Sequence, residues 1–291
     1  MSNIFIPEEL KEGLYYDMSF DRIVVPSRYS NAVVGHVISN YLSDNHYFTP
    51  PLYLAIKGDP GEGKTLQAIA ACNQRGIMVK YLSSSKLSGE MESESREVIE
   101  RIYNQSLQLQ KLGFYVCILL DDFHLGNASI KNSTTRTVNA ELLVGYMMNL
   151  AESTNHNRIP ILLTGNDFSG TYDALLRDGR ADIFTWEPTL DEKYLVVESI
   201  LGPIVQEADS SKLQNFLKKH CDCNIAFFAQ LRNDIRKEIV TRALETISSV
   251  DVNTIHCIED RINTEFCRIS ISDFERLAEN RIKNRKKGGL K

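Results

Sequence analysis

An α/β fold built on a doubly wound parallel sheet, followed by a small all-helical lid domain, is what this sequence predicts. Three observations carry that expectation. The stretch Gly58-Asp59-Pro60-Gly61-Glu62-Gly63-Lys64-Thr65 reads G-x-x-x-x-G-K-T, between a short apolar run, Tyr53-Leu54-Ala55-Ile56, and a helix-like run over residues 66–72. Short apolar runs then alternate with helix-length segments as far as Pro188, the pattern of strand–helix units in a parallel sheet. Beyond Pro188 only helical patterning is present. The expected division is an N-terminal segment and linker over residues 1–28, an α/β nucleotide-binding domain over 29–189, and a helical lid with a basic tail over 190–291.

Taken in order, residues 1–20 show no clear period, and Ile23-Val24-Val25 is an apolar run stopped by Pro26, an ordered linker. Residues 30–42 read as an amphipathic helix with Val33, Val34, Val37, Ile38 and Tyr41 on one face. Thr49-Pro50-Pro51 leads into the strand before the glycine-rich loop. A second strand is expected over 79–82, then a loop rich in serine and glutamate over 83–95, then a long helix over 96–112 that Gly113 ends. Residues 114–120 are nearly all apolar, as in a strand buried on both faces, and lead into Asp121-Asp122. Residues 127–135 are polar and read as a loop, and 139–151 as a helix. A buried strand over 159–163 ends in Thr164-Gly165-Asn166-Asp167; a short helical piece, 174–176, precedes a last strand over 183–186. Lid helices are expected over 191–201, 211–220 and 225–248, with a final one opened by a capping box of Ser272 and Glu275.

Composition narrows the function classes. With 43% hydrophobic residues in 291, the chain can build a sizeable core, which excludes wholesale disorder. No apolar run approaches the ~18 residues of a membrane span, and the first residues lack the basic-then-apolar order of a signal peptide. Cysteines 72, 117, 221, 223, 257 and 267 form no C-x-x-C pair, so reduced thiols in a cytoplasmic protein are expected. Net charge is −5, yet residues 281–291 hold basic residues and no acid, so the rest is more acidic still. That argues against a broad nucleic-acid surface. The tail alone could touch nucleic acid or an acidic protein; a solvated, frayed terminus is the favoured reading.

The motifs point to phosphate chemistry. Glycines at 58, 61 and 63 let the backbone turn tightly and aim amides at phosphate oxygens, and the helix that follows adds its positive end. Lys64 would reach the β- and γ-phosphates of ATP, and the Thr65 hydroxyl would ligate Mg²⁺. Asp59, Pro60, Glu62 and Leu66 belong to the same nucleotide-binding segment. Cys117-Ile118-Leu119-Leu120-Asp121-Asp122 is an apolar strand ending in two acids. Asp121 would hold the Mg²⁺ shell and Asp122 would polarise the attacking water. Asn166, at the end of the next strand, is placed to sense the γ-phosphate. Arg177 and Arg180 do not lie where their own loop needs them. In a ring each could act in trans as an arginine finger. Arg232 is the lid candidate for touching phosphate in cis. Met91, flanked by Glu90 and Glu92, is the candidate pore position, where a flexible side chain could grip a client weakly.

Three segments together resemble Rubisco activase, an AAA+ ATPase: residues 159–169 (IPILLTGNDFS), 176–180 (LRDGR) and 184–189 (FTWEPT). Thr134-Thr135 with Thr137-Val138-Asn139, Phe227-Phe228 with Leu231-Arg232, and Ile271-Ser272 with Phe274-Glu275-Arg276-Leu277 agree with that family, and the similarity spans residues 20–285. The resemblance implies an ATP-driven ring, a hexamer, that remodels a protein. It carries adenine contact onto Ile23, Val24 and Val25. The family has Asn-Asp where this chain has Asp121-Asp122, and Asp at His124. Only residues 1–22 precede the linker, where the family has a substrate-engaging domain, so the expected client differs from Rubisco. The alternatives are a true Rubisco activase and a nucleic-acid-associated loader or initiator ATPase. No membrane partner is expected.

Overall fold

A computed structural model describes residues 6–16, 20, 22–42, 49–84, 94–123, 134–153, 158–168, 174–206, 209–245, 251–266 and 269–287. Two compact units divide the chain, Met1–Glu187 and Pro188–Lys291.

The first unit is a sheet of six strands: β1 (Leu14–Tyr15), β2 (Tyr53–Lys57), β3 (Met78–Ser83), β4 (Val116–Asp121), β5 (Ile161–Gly165) and β6 (Ala181–Thr185). Their order is β1-β3-β4-β5-β2-β6. All neighbours run parallel except β1, which adds antiparallel to β3. Among the described residues, four α-helices cover the sheet: α1 (Ser27–Tyr41), α2 (Lys64–Asn73), α3 (Glu94–Lys111) and α4 (Thr134–Glu152). The period-2 alternation of strands sorts side chains to two faces. Leu54 and Ile56 of β2 join Val33 and Val37 of α1 and Ala68 and Cys72 of α2. Tyr53 and Ala55 join Ile99 and Ile102 of α3 and Met147 of α4. The doubly wound sheet expected from the apolar runs is present.

Strand order is what makes the site. β4, β5 and β2 are consecutive in the sheet, so their carboxyl ends lie side by side. In open α/β sheets ligands bind in the crevice outside those ends. The loop after β2, the acids ending β4 and the Thr-Gly-Asn ending β5 therefore converge, though they are far apart in sequence.

The second unit contains α5 (Leu190–Leu201), α6 (Ser210–Lys219), α7 (Ile225–Leu244), α8 (Val252–Phe266) and α9 (Ile271–Lys287). Its core includes Val197, Leu201, Phe216, Phe227, Phe228, Leu231, Ile239 and Phe274. Thr189 and Glu192 form a reciprocal capping box at the start of α5, and the Asn224 side chain accepts from the Phe227 amide to open α7.

Several expectations need correction. The capping box of α9 is not Ser272 with Glu275. The Ser270 hydroxyl oxygen accepts from the Asp273 amide, and the Asp273 carboxylate accepts from the Ser270 amide. Aspartate at the third position reaches back as glutamate does. Residues 174–176 are a turn, not a helical piece; the Arg177 carbonyl accepts from the amides of Arg180 and Ala181, closing the chain tightly before β6. The α8 helix and the β1 strand were not foreseen. Ile38 is exposed rather than packed with Val33 and Val37. The basic stretch does not fray at its start. It continues α9 as far as Lys287, and Arg281 is paired with Asp234. Residues 85–93 and 124–133 are outside the described residues, so Glu90, Met91, Glu92 and His124 are not placed.

Among the described residues, Cys72, Cys117, Cys221 and Cys257 are free thiols. Cys72 and Cys117 lie 3.7 Å apart in the core between α2 and β4. Their mutual hydrogen bond and burial push the Cys117 thiol well above its usual range, so it stays protonated.

Candidate active site

The glycine-rich loop leaves β2 and turns into α2. Gly61 and Gly63 have φ of 80° and 75°, the left-handed region that glycine adopts without steric cost. Gly58 is needed for a different reason: a Cβ there would lie 2.3 Å from the carbonyl oxygen of Trp186. Trp186, the sole tryptophan, is fully buried, and its indole N–H donates to the Glu62 carbonyl at 2.9 Å. Gln67 donates to the same carbonyl at 3.1 Å. The Tyr29 hydroxyl donates to the Lys64 carbonyl, and the Tyr29 ring packs edge-on against Trp186 at 4.8 Å. The loop is thus held on one side by an aromatic block of Tyr29 and Trp186.

Gly58→Ala is expected to displace the loop from Trp186, because backbone atoms on both sides cannot yield cheaply. Overpacking of this kind costs about 1–3 kcal/mol. Thermal melting should show that loss, and calorimetry should show weakened ATP binding; unchanged affinity would mean that the Trp186 contact does not shape the loop.

Lys64 lies inside the loop. Its Nζ donates to the carbonyls of Gly58 (2.7 Å) and Asp59 (2.9 Å) and to Asn166 Oδ1 (3.0 Å). Burial lowers its proton affinity, while the nearby carboxylates of Asp122, Asp59, Asp121 and Glu62 oppose that shift. Thr65 and Thr164 both donate their hydroxyls to Asp121 Oδ1, the second at 2.7 Å. Thr164 also accepts from the Asp122 amide at 3.2 Å, and its own carbonyl accepts from the Phe123 amide at 2.9 Å. Asp121 Oδ2 accepts from the Tyr81 hydroxyl at 2.8 Å. Burial, then that bond to a carboxylate, raises the phenol to about 12, so it remains a donor.

The donor set suits a hard divalent cation. It offers the Thr65 and Thr164 hydroxyls and the Asp121 carboxylate, all oxygen and all at one carboxyl edge, as Mg²⁺ prefers. The glycine loop at a helix N-terminus suits a polyphosphate.

Of the residues singled out in the sequence, the structure brings together Gly58, Asp59, Lys64, Thr65, Asp121, Asp122 and Asn166. Asp122 has φ of 50°, the only positive value among described non-glycine residues. Glu62 is buried beside Trp186, while Asp59, Pro60 and Leu66 are exposed on the loop and first helical turn. Ile23, Val24 and Val25 are half-buried, and Gln74 at the far end of α2 donates to the carbonyls of Phe20 (3.0 Å) and Ile23 (2.6 Å). Arg177 is exposed beside Lys57, Asp167 and Phe168 on a cleft of about 620 Å³. The Arg180 guanidinium is held by Glu152 and by the Ala174 carbonyl at 2.6 Å. Arg232 belongs to the second unit, exposed on α7.

Sequence reasoning missed Thr164, Tyr81, Trp186 and Tyr29. No spacing rule singles these out, because each acts through a contact that only the fold makes.

Fold and site together define a P-loop α/β domain of the AAA+ type. Residues 54–189 match the family described as ATPase family associated with various cellular activities (AAA). A ribulose bisphosphate carboxylase/oxygenase activase of Anabaena sp. is 30% identical over 251 residues, covering 81% of this chain and 60% of that protein. One from Nostoc sp. is also 30% identical over 251 residues, covering 79% and 59%. A chloroplastic activase 2 of Larrea tridentata is 28% identical over 256 residues, covering 82% and 58%. Residues 54–189 thus carry an AAA domain, and the chain is similar to these activases over most of its own length. It spans about three fifths of the length of these curated relatives.

Proposed function

We propose that this protein binds ATP with Mg²⁺ in the loop of residues 58–65, hydrolyses it within an oligomeric ring, and uses the cycle to remodel a protein client. One observation carries the reading: Lys64, Thr65, Asp121 and Asn166 meet at the carboxyl ends of three adjacent strands. Lys64 would exchange its carbonyl partners for phosphate oxygens. Thr65 and Asp121 would hold Mg²⁺, which when bound neutralises phosphate charge. Asn166, already bonded to Lys64, would report the γ-phosphate to β5. Ile23, Val24 and Val25 would meet the adenine.

Lys64→Ala tests the reading. Hydrogen bonds to charged groups are worth roughly 1.5–3 kcal/mol, so ATP affinity should fall by about 10- to 100-fold. Calorimetry measures this directly, and unchanged affinity defeats the assignment. Light scattering with and without ATP tests the ring.

The relatives' name supports a second reading, in which ribulose bisphosphate carboxylase is itself the client. Carboxylase activity measured with and without this protein and ATP separates the two. A cytoplasmic location is part of the first reading; no described helix is long and apolar enough to cross a membrane.

A further inference from the structure

Tyr81 belongs to none of the nucleotide motifs, yet it touches their central carboxylate. In the parallel pairing of β3 with β4, Ser83 lies opposite Asp121 and Tyr81 opposite Leu119. Tyr81 and Asp121 are therefore diagonal neighbours on one face of the sheet, within reach of a long side chain. The phenol donates to Asp121 Oδ2 at 2.8 Å, while Oδ1 takes the hydroxyls of Thr65 and Thr164. The terminal torsion of an aspartate is broad and roughly two-fold. Bonds to both oxygens fix it, with Oδ1 turned to the phosphate loop.

Behind Tyr81 stands the N-terminal strand. The Tyr81 amide donates to the Gly13 carbonyl at 2.7 Å. Gly13 has φ of 63°, and a Cβ there would come within 2.6 Å of the Tyr81 carbonyl oxygen, so only glycine fits. The Tyr15 ring packs edge-on against the Tyr81 ring at 5.4 Å. Lys80, next to Tyr81, is fully buried. Its Nζ donates to the carbonyls of Leu10 (2.7 Å) and Glu12 (2.6 Å) and to Gln105 Oε1 (3.0 Å). An ammonium so placed is costly to leave unpaired, so it specifies the docking of this segment.

We propose that Tyr81 is a positioning residue for Asp121, and that docking of β1 on β3 holds Tyr81 in place, so that Mg²⁺-dependent nucleotide binding is coupled to the N-terminal segment of residues 6–16. The proposal rests on the reading of Asp121 as the carboxylate on the Mg²⁺ side.

The test uses the full chain and a fluorescent ATP analogue. Two quantities are measured: the Mg²⁺ concentration for half-maximal binding, and binding in EDTA. Asp121→Ala decides the underlying reading first. If it leaves the Mg²⁺ dependence unchanged, that reading fails, whatever Tyr81 does. With Asp121 established, Tyr81→Phe keeps the ring on Tyr15 and removes only the hydroxyl. It is expected to raise the Mg²⁺ requirement about tenfold, the lower end for outer-shell partners of metal ligands, and to leave binding in EDTA unchanged. An unshifted Mg²⁺ requirement, or an equal loss in EDTA, overturns the positioning role.

Gly13→Ala and Lys80→Met each loosen β1 without touching the site. Hydrogen exchange at the Tyr81 amide confirms undocking. Both are expected to reproduce the Mg²⁺ shift and to add nothing to Tyr81→Phe in double variants. Faster exchange with an unchanged Mg²⁺ requirement, or a full additive shift, overturns the coupling.

Discussion

Asp122→Asn is expected to leave ATP binding intact and to lower turnover by about 10³-fold, within the range that a positioned general base contributes. The geometry makes this substitution unusually clean. Asp122 sits at φ of 50°, a conformation costly for most side chains. Asparagine tolerates it as aspartate does, so the backbone turn should survive. Its amide, bonded to Thr164, stays in place as well. Asp121 keeps its bonds to Thr65, Thr164 and Tyr81, and with them its place toward Mg²⁺. What changes is the ability to accept a proton from water. Single-turnover phosphate release with saturating ATP isolates that step, and turnover near that of the unmodified protein would remove Asp122 from the chemistry. Asp122→Ala is the less informative variant, because alanine pays for the left-handed backbone and confounds chemistry with strain.

The glycine loop and the two acids were readable because each is a contiguous string whose chemistry is local. The sheet was readable because buried parallel strands are apolar runs of a characteristic length. Thr164 was not singled out, because its role exists only once β5 lies between β4 and β2. Tyr81 and Trp186 act for the same reason through contacts to Asp121 and Glu62, which no spacing rule connects. β1 has two residues, too few for a period, and forms because Gly13 and Tyr15 meet Tyr81 while the buried Lys80 of β3 donates to the carbonyls of Leu10 and Glu12. The α8 helix is different. Val252, Ile255, Ile258 and Ile262 recur at helical spacing, so its signal was present and was passed over. The Ser272–Glu275 box failed by two residues because Ser270 and Asp273 offered an equivalent pair nearer the true start.

The two arginines of the turn before β6 are expected to separate by what holds them. Both are proposed to reach a neighbouring subunit's γ-phosphate, where removal of an arginine finger costs about 10³-fold or more in turnover. Arg177 is exposed on the cleft beside Lys57 and Asp167, so Arg177→Ala should lose turnover with no change in melting temperature. Arg180 is bound by Glu152 and by the Ala174 carbonyl. Arg180→Ala should therefore lose turnover and also melt earlier, by the few degrees that about 1 kcal/mol represents in a chain of this size. For Arg180 to reach across it must leave Glu152, so Glu152→Gln should spare or raise turnover while weakening that hold. A finger acting in trans has a further signature. Each defective subunit disables only its neighbour's site and keeps its own, so Arg177→Ala or Arg180→Ala subunits mixed with Lys64→Ala subunits, which lose ATP but still carry both arginines, should regain turnover that neither variant shows alone. No recovery on mixing would mean that each subunit completes its own site. A drop for Arg180→Ala that Glu152→Gln reproduces would assign Arg180 to holding the end of α4 against the turn, and leave the trans contact to Arg177.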